Sequence, residues 1–199
     1  MTVLVDLLMA TMDSISVWSS AAGDREVGLA WRDAVTARMI EAGAYVPYEQ
    51  LVAEAGAELR LPPDAPTTLR AEWDGIRPWP DAVALQRLPA AFAFVTNCSA
   101  ELAAAAVARS GLRPAFTLSA EEAGWYKPRP EIYRQACDRF AVDPRRTVFV
   151  AGAAYDARGA AAAGMHVFQV ARRPPSMEDP VLPATVRVVA SLADALPGP

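Results

Sequence analysis

The chain has 199 residues, with 19 lysines and arginines against 23 aspartates and glutamates, for a formal net charge of −4. A chain of this length buries roughly two thirds of the surface its unfolded form exposes, so it can build a core without staples. No basic run offers a track for a phosphate backbone or an anionic bilayer, which sets nucleic acid and membrane aside as partners.

Cys98 and Cys137 lie far apart with no CxxC or CxxH spacing, arguing for two free thiols in a reducing compartment rather than a disulfide or zinc site. Asp6 interrupts the first apolar run and Arg109 cuts the alanine-rich one, so no stretch approaches the about 20 apolar residues of a membrane span. A soluble cytoplasmic protein is expected.

Val3, Leu4 and Val5 form an aliphatic run ending on Asp6, which predicts a buried strand delivering an acid at its carboxyl end. Open α/β sheets place ligands at that edge. From Ser14 to about Trp73 the period becomes helical, through Leu29, Ala30, Val35, Met39 and Ile40 and then Leu51, Val52, Ala55 and Leu59. Gly43 to Pro47 punctuates the two helices, and Leu61-Pro62-Pro63 closes the second.

Strand character returns at Ala91 to Val95, followed by the polar Thr96-Asn97-Cys98-Ser99 and an alanine-rich helix from Ala100 to Arg109. A further unit runs from Thr147 to Val150 through the small-residue loop Ala151 to Ala154. It continues into a helix opened by Asp156 and stopped at Gly164, then a strand from His166 to Val170. Strands alternating with helices imply a parallel sheet with right-handed crossovers. The fold class is therefore α/β, a Rossmann-like three-layer core formed by residues 1–13 and 77–199. The helical stretch 14–76 is a cap inserted after the first strand. The proline-rich tail from Arg172 to Pro183 is expected to be irregular, with Val186 to Val189 adding a short edge strand.

Four elements fall at or just after strands in a fixed order: Asp6, the Thr96-Asn97 pair, the Tyr126-Lys127-Pro128 turn, and Asp156 within AYDARGAAAAGM. An aspartate, a hydroxyl, a lysine and a second aspartate in that order resemble the four signature motifs of the haloacid dehalogenase superfamily, and the resemblance covers residues 3 to about 170. A strand-end carboxylate can attack an electrophilic carbon or phosphorus and form an ester, splitting one hard displacement into two easier ones. The resemblance makes Asp6 that nucleophile. Lys127 would keep it ionised, since an opposite charge within about 4–6 Å lowers an acid's pKa. Thr96 and Asn97 would bind substrate or intermediate, and Asp156 would position the lysine or activate water.

The phosphatase branch carries a second aspartate two residues after the nucleophile and a further acid in the fourth motif, where this chain has Leu8 and Gly152. Both the leaving-group acid and much of the oxygen cage that Mg²⁺ prefers are missing, so no cofactor is expected. The L-2-haloacid dehalogenase branch needs neither group. Trp31-Arg32 resembles its Trp-Arg pair, whose arginine faces the substrate carboxylate and the departing halide. Lys127 followed by Tyr133, and Ala154-Tyr155-Asp156, resemble further segments of that branch, which makes Arg32, Tyr133 and Tyr155 substrate-binding candidates.

The first and fourth motifs depart from that branch. Met9-Ala10 stands in place of Gly-Thr, with Thr11 one residue out of step, and Ala151 and Ala153 replace a serine and an asparagine. Metal-independent hydrolysis of a small anionic organic acid is the leading expectation. A Mg²⁺-dependent phosphatase of small phosphate esters and a catalytically impaired ligand-binding relative are the alternatives. Trp18, Trp31, Tyr45, Tyr48 and Trp79 are available as apolar walls for the substrate, and the helical insert is compatible with a homodimer. His166 and Cys98 read as structural.

Overall fold

The computed structural model describes residues 2–174 and 179–196. Residues 175–178, within the proline-rich stretch expected to be irregular, lie outside the described residues. The first strand, β1 (Thr2–Asp6), is followed by a π-helical turn over Leu7–Thr11. Four helices come next: α1 (Ser14–Ala22), α2 (Arg25–Ala42), α3 (Tyr48–Glu58) and α4 (Ala65–Glu72). After 3₁₀ turns over Trp73–Gly75 and Pro80–Arg87, the chain enters β2 (Phe92–Thr96), α5 (Ala100–Ser110), β3 (Thr117–Ser119), α6 (Ala120–Ala123) and α7 (Pro130–Phe140). It ends in β4 (Thr147–Ala151), α8 (Ala154–Ala162), β5 (His166–Val170), β6 (Arg187–Val189) and α9 (Leu192–Ala195).

The six strands form one parallel sheet in the order β3-β2-β1-β4-β5-β6. Every residue of β2 and β4 is buried, as a sheet covered on both faces requires. The strand order reverses at β1, which opens a crevice outside the carboxyl ends of β1 and its neighbours, and Asp6 stands there. The expected edge strand forms as β6. β3 was not foreseen, because three residues with two hydroxyls among them carry no legible alternation. No helix among the described residues is long and apolar enough to cross a membrane.

The four helices of 14–72 leave the sheet and return to it at one narrow neck. Met12 and Pro78 form an antiparallel bridge, Asp13 N donates to Arg77 O (2.8 Å), and Trp79 N donates to Thr11 O (2.9 Å). Asp24 caps α2 by accepting from the amides of Glu26 (2.8 Å) and Val27 (2.9 Å). Gly28 lets α1 and α2 touch backbone to backbone, since a Cβ there would lie 2.6 Å from Trp18 O. Trp31 is the knot of the insert. It is wholly buried, meets Trp18 edge-on at 5.0 Å between ring centroids, and donates from Nε1 to Val52 O (3.0 Å) on α3.

A second seam ties the insert to the sheet. Ala44 and Trp125 form an antiparallel bridge, Tyr126 N donates to Gly43 O (2.7 Å), and Tyr45 N donates to Gly124 O (2.9 Å). The α2–α3 loop is thereby stitched to the segment that leads into Lys127. Because Trp31 carries both a large apolar burial and a buried hydrogen bond, Trp31→Ala should destabilise the chain by about 3–5 kcal/mol in denaturant unfolding. A loss below about 1 kcal/mol would contradict this packing account.

Candidate active site

The carboxylate of Asp6 is fixed on both oxygens. Oδ2 accepts the amides of Met9 (2.9 Å) and Ala10 (3.0 Å) from the π-helical turn, and Oδ1 accepts Lys127 Nζ (2.8 Å). Ala10 gives this carboxylate its backbone N–H and no side-chain hydroxyl. Thr11, one residue along, donates instead to the Asp6 carbonyl (3.0 Å).

The turn is itself clamped from outside. Trp79 Nε1 donates to Met9 O (3.2 Å), and Arg172 donates from Nη2 (2.6 Å) and Nε (3.2 Å) to Ala10 O while holding Asp81 with its other bonds. Trp79, expected as a substrate wall, is therefore a brace. Arg172 went unseen in sequence, since an arginine in a proline-rich tail carries no signal of a contact 162 residues away.

Lys127 is 1% exposed, and its ammonium spends its three donors on Asp6 Oδ1, Asp156 Oδ2 (2.6 Å) and Val95 O (3.2 Å). Burial works against its charge, but Asp156 and Asp6 together outweigh that cost and raise its pKa above the ordinary lysine value. Burial also pushes the Asp156 carboxyl up to about 6, against the downward pull of Lys127. Tyr133 donates its hydroxyl to Asp156 Oδ1 (2.6 Å). Asn97 clamps the lysine's backbone at both ends, accepting from Lys127 N (2.7 Å) and donating to Lys127 O (3.1 Å).

Above Asp6 lies a cavity of about 40 Å³ whose floor is Asp6, Thr96 and Asn97, whose roof includes Arg32 and Tyr48 from the insert, and which Tyr155 of α8 also lines. At about 10–15 Å³ per water-sized group it has room for a few such groups, and it adjoins a cleft that shares Arg32, Thr36 and Tyr155. Arg32 is 7% exposed and donates from Nη1 to Asp33 (2.6 Å), leaving further guanidinium donors for a ligand. Of the sequence candidates, Asp6, Arg32, Thr96, Asn97 and Tyr155 line this cavity, while Lys127 and Asp156 sit directly beneath it. Tyr133, expected at the substrate, is not on the lining; it stands behind Asp156 and donates to that residue. Of the expected aromatic walls, only Trp18 and Tyr48 reach the cavity. The Cys98 thiol is wholly buried and pushed up to about 12 by that burial, which suits an inert filler.

The donor set does not fit Mg²⁺. The ammonium of Lys127 already lies between the two carboxylates, and no cluster of three or more His, Cys, Asp or Glu able to hold a metal exists among the described residues. Gly152, where the phosphatase branch places an acid, has no room for a side chain. A Cβ there would lie 2.3 Å from Ala10 N and 2.4 Å from the Met9 carbonyl carbon. The π-helical turn occupies that space, so the acid is excluded sterically as well as absent.

The family model for haloacid dehalogenase-like hydrolases matches residues 8–164. The chain belongs to that family. It is 34% identical over 118 residues to (S)-2-haloacid dehalogenase 4A of Burkholderia cepacia, covering 55% of this chain and 51% of the relative. It is 34% identical over 100 residues to (S)-2-haloacid dehalogenase 1 of Pseudomonas sp. (strain CBS-3), covering 47% and 44%. These matches span about half the length of the curated relatives. Among solved structures, the L-2-haloacid dehalogenase of Xanthobacter autotrophicus with chloropropionic acid covalently bound superposes with a TM-score of 0.81, 21% identity, and coverage of 97% of this chain and 95% of that one.

The close approach at Gly152 gives a stability test. Gly152→Ala forces the turn away from β4 and should cost about 1–3 kcal/mol, read as a thermal midpoint lower by several degrees. An unchanged midpoint would mean that the turn does not pack as described.

Proposed function

We propose that this chain is a metal-independent 2-haloacid dehalogenase that uses Asp6 as its nucleophile, with residues 14–76 acting as the cap over the site. The observation that carries the reading is the buried Asp6–Lys127–Asp156 relay beneath a cavity roofed by Arg32. The names of the curated relatives support the substrate class.

An Asp6 oxygen forms a bond to Cα of a short 2-halo acid as the carbon–halogen bond breaks, and its electron pair leaves with the halide. Arg32 faces the anion and offsets its charge. Water then adds to the Asp6 side-chain carbon of the ester and passes its proton to Asp156. The 2-hydroxy acid departs, the Asp6 carboxylate returns, and one halide and one proton are released per turnover. The amides of Met9 and Ala10 are placed to hold the charge that builds on Oδ2 in this second step.

Lys127, held between two carboxylates, fixes Asp6 Oδ1 in place with its ammonium. Tyr133 and Asn97 act by position, one on Asp156 and the other on the backbone of Lys127. The two buried free thiols fit a reducing cytoplasm, and exposed Val27, Ile40 and Leu59 on the insert offer apolar surface for a homodimer.

Halide release from 2-chloropropionate should be slow, because each polar partner absent at Ala10, Ala151 and Ala153 can cost on the order of 10²-fold to 10³-fold. It should persist in excess EDTA and vanish in Asp6→Asn with the circular dichroism unchanged. Loss on chelation with recovery in Mg²⁺ would support phosphatase chemistry, and thermal protection by halo acids without turnover would support a binding protein.

The state of Asp156 sets a second test. A base with its pKa near 6 is lost as pH falls, so turnover should rise with pH through about 6. Tyr133→Phe removes a hydrogen bond that favours the ionised carboxylate, so the midpoint should move to higher pH. A midpoint that stays put or moves down would remove Asp156 from the proton-transfer step.

A further inference from the structure

On the insert's side of the cavity, α3 presents a hydroxyl that has no partner among the described residues. Tyr48 is 4% exposed and lines the cavity opposite Asp6, and among the described residues its hydroxyl has no hydrogen-bond partner. The other roof and floor groups differ. Thr36 Oγ1 donates to Arg32 O (2.9 Å), Asn97 is bonded to Lys127, Thr96 Oγ1 meets Cys98 Sγ at 3.4 Å, and Ser14 Oγ has the thioether of Met9 at 3.5 Å. Tyr155 stands at the mouth, part-exposed, where the inner cavity adjoins a surface cleft. The Tyr48 hydroxyl is not among the sealed, unpartnered polar atoms of the core, so it is reached from the cavity and is open to an acceptor that a ligand supplies.

Its position is fixed. Tyr48 opens α3 just after the α2–α3 loop that is stitched to the Lys127 segment, and Tyr126 adds a bond from its hydroxyl to Val46 O (2.6 Å). Burial holds the phenol protonated, its pKa pushed well above the ordinary tyrosine value, so it acts as a donor. In-line displacement by Asp6 drives the leaving group away from the floor and toward the roof, where Arg32 and Tyr48 stand.

Building on the dehalogenase reading, we infer that Tyr48 is a specificity-determining residue that donates its phenolic hydrogen to the departing halide of a short 2-halo acid. The device selects for halides that accept hydrogen bonds strongly, fluoride and chloride ahead of bromide. The carbon–halogen electron pair goes to the halide, and the phenol keeps its proton throughout.

The test compares the native chain with Tyr48→Phe on 2-fluoro-, 2-chloro- and 2-bromopropionate, reading halide release and thermal midpoint. The variant should lose kcat/KM on the chloro acid by about 10-fold more than on the bromo acid, with the fluoro acid affected at least as strongly as the chloro wherever it is turned over. Its thermal midpoint should be unchanged or higher, because the hydroxyl it removes has no partner among the described residues. Equal losses on chloro and bromo acids, or a lower midpoint showing that the hydroxyl serves the fold, would overturn the inference while leaving the dehalogenase reading intact. No halide release by the native chain from any of the three acids would overturn both.

Discussion

A single ammonium group, that of Lys127, holds the site together. It is buried at the carboxyl edge of the sheet and shared between Asp6 and Asp156. Two buried carboxylates that share one ammonium would repel each other without it. The surrounding contacts serve that placement. Asn97 fixes the lysine's backbone, Val95 takes its third donor, and Tyr133 takes the far oxygen of Asp156. The occupied space between the carboxylates is also why a divalent metal has no place there.

The second constraint is mechanical. The turn after Asp6 presents two amides to its carboxylate only because Trp79 and Arg172 hold the turn's carbonyls and Gly152 lets it rest directly on β4. The insert then closes over the floor from two seams, one at Met12–Pro78 and one at Ala44–Trp125. The first sits at the end of this turn and the second lies close to Lys127 in sequence. Roof and floor are therefore registered against the same few residues, which suits a cavity this small.

Much of this was legible in the amino-acid order. Asp6, Thr96 and Asp156, each at or just after a legible strand, gave the parallel sheet, because strand-end placement is a local property with long-range geometric consequences. Lys127 was legible only by its place in the motif order, since α6 separates it from the unforeseen β3. Tyr133 was legible as a partner but not in its direction, since a tyrosine on a helix can meet either the ligand or the residue behind it. Arg172, Trp79 and the unpartnered hydroxyl of Tyr48 were not legible as such. Their roles are set by tertiary contacts across long separations, and an arginine in a tail or an aromatic after a proline reads the same whether it braces, lines or donates.

The central claim is that Asp6 becomes covalently bound to substrate, and a single turnover in H₂¹⁸O with enzyme in excess over 2-chloropropionate tests it most directly. The oxygen that enters the product in that turnover comes from Asp6. The first hydroxy acid released should therefore carry no label, and mass spectrometry of the peptide containing Asp6 should find the label in its carboxylate. Label in the hydroxy acid with none in Asp6 would show that water attacks the substrate directly, and would contradict the account.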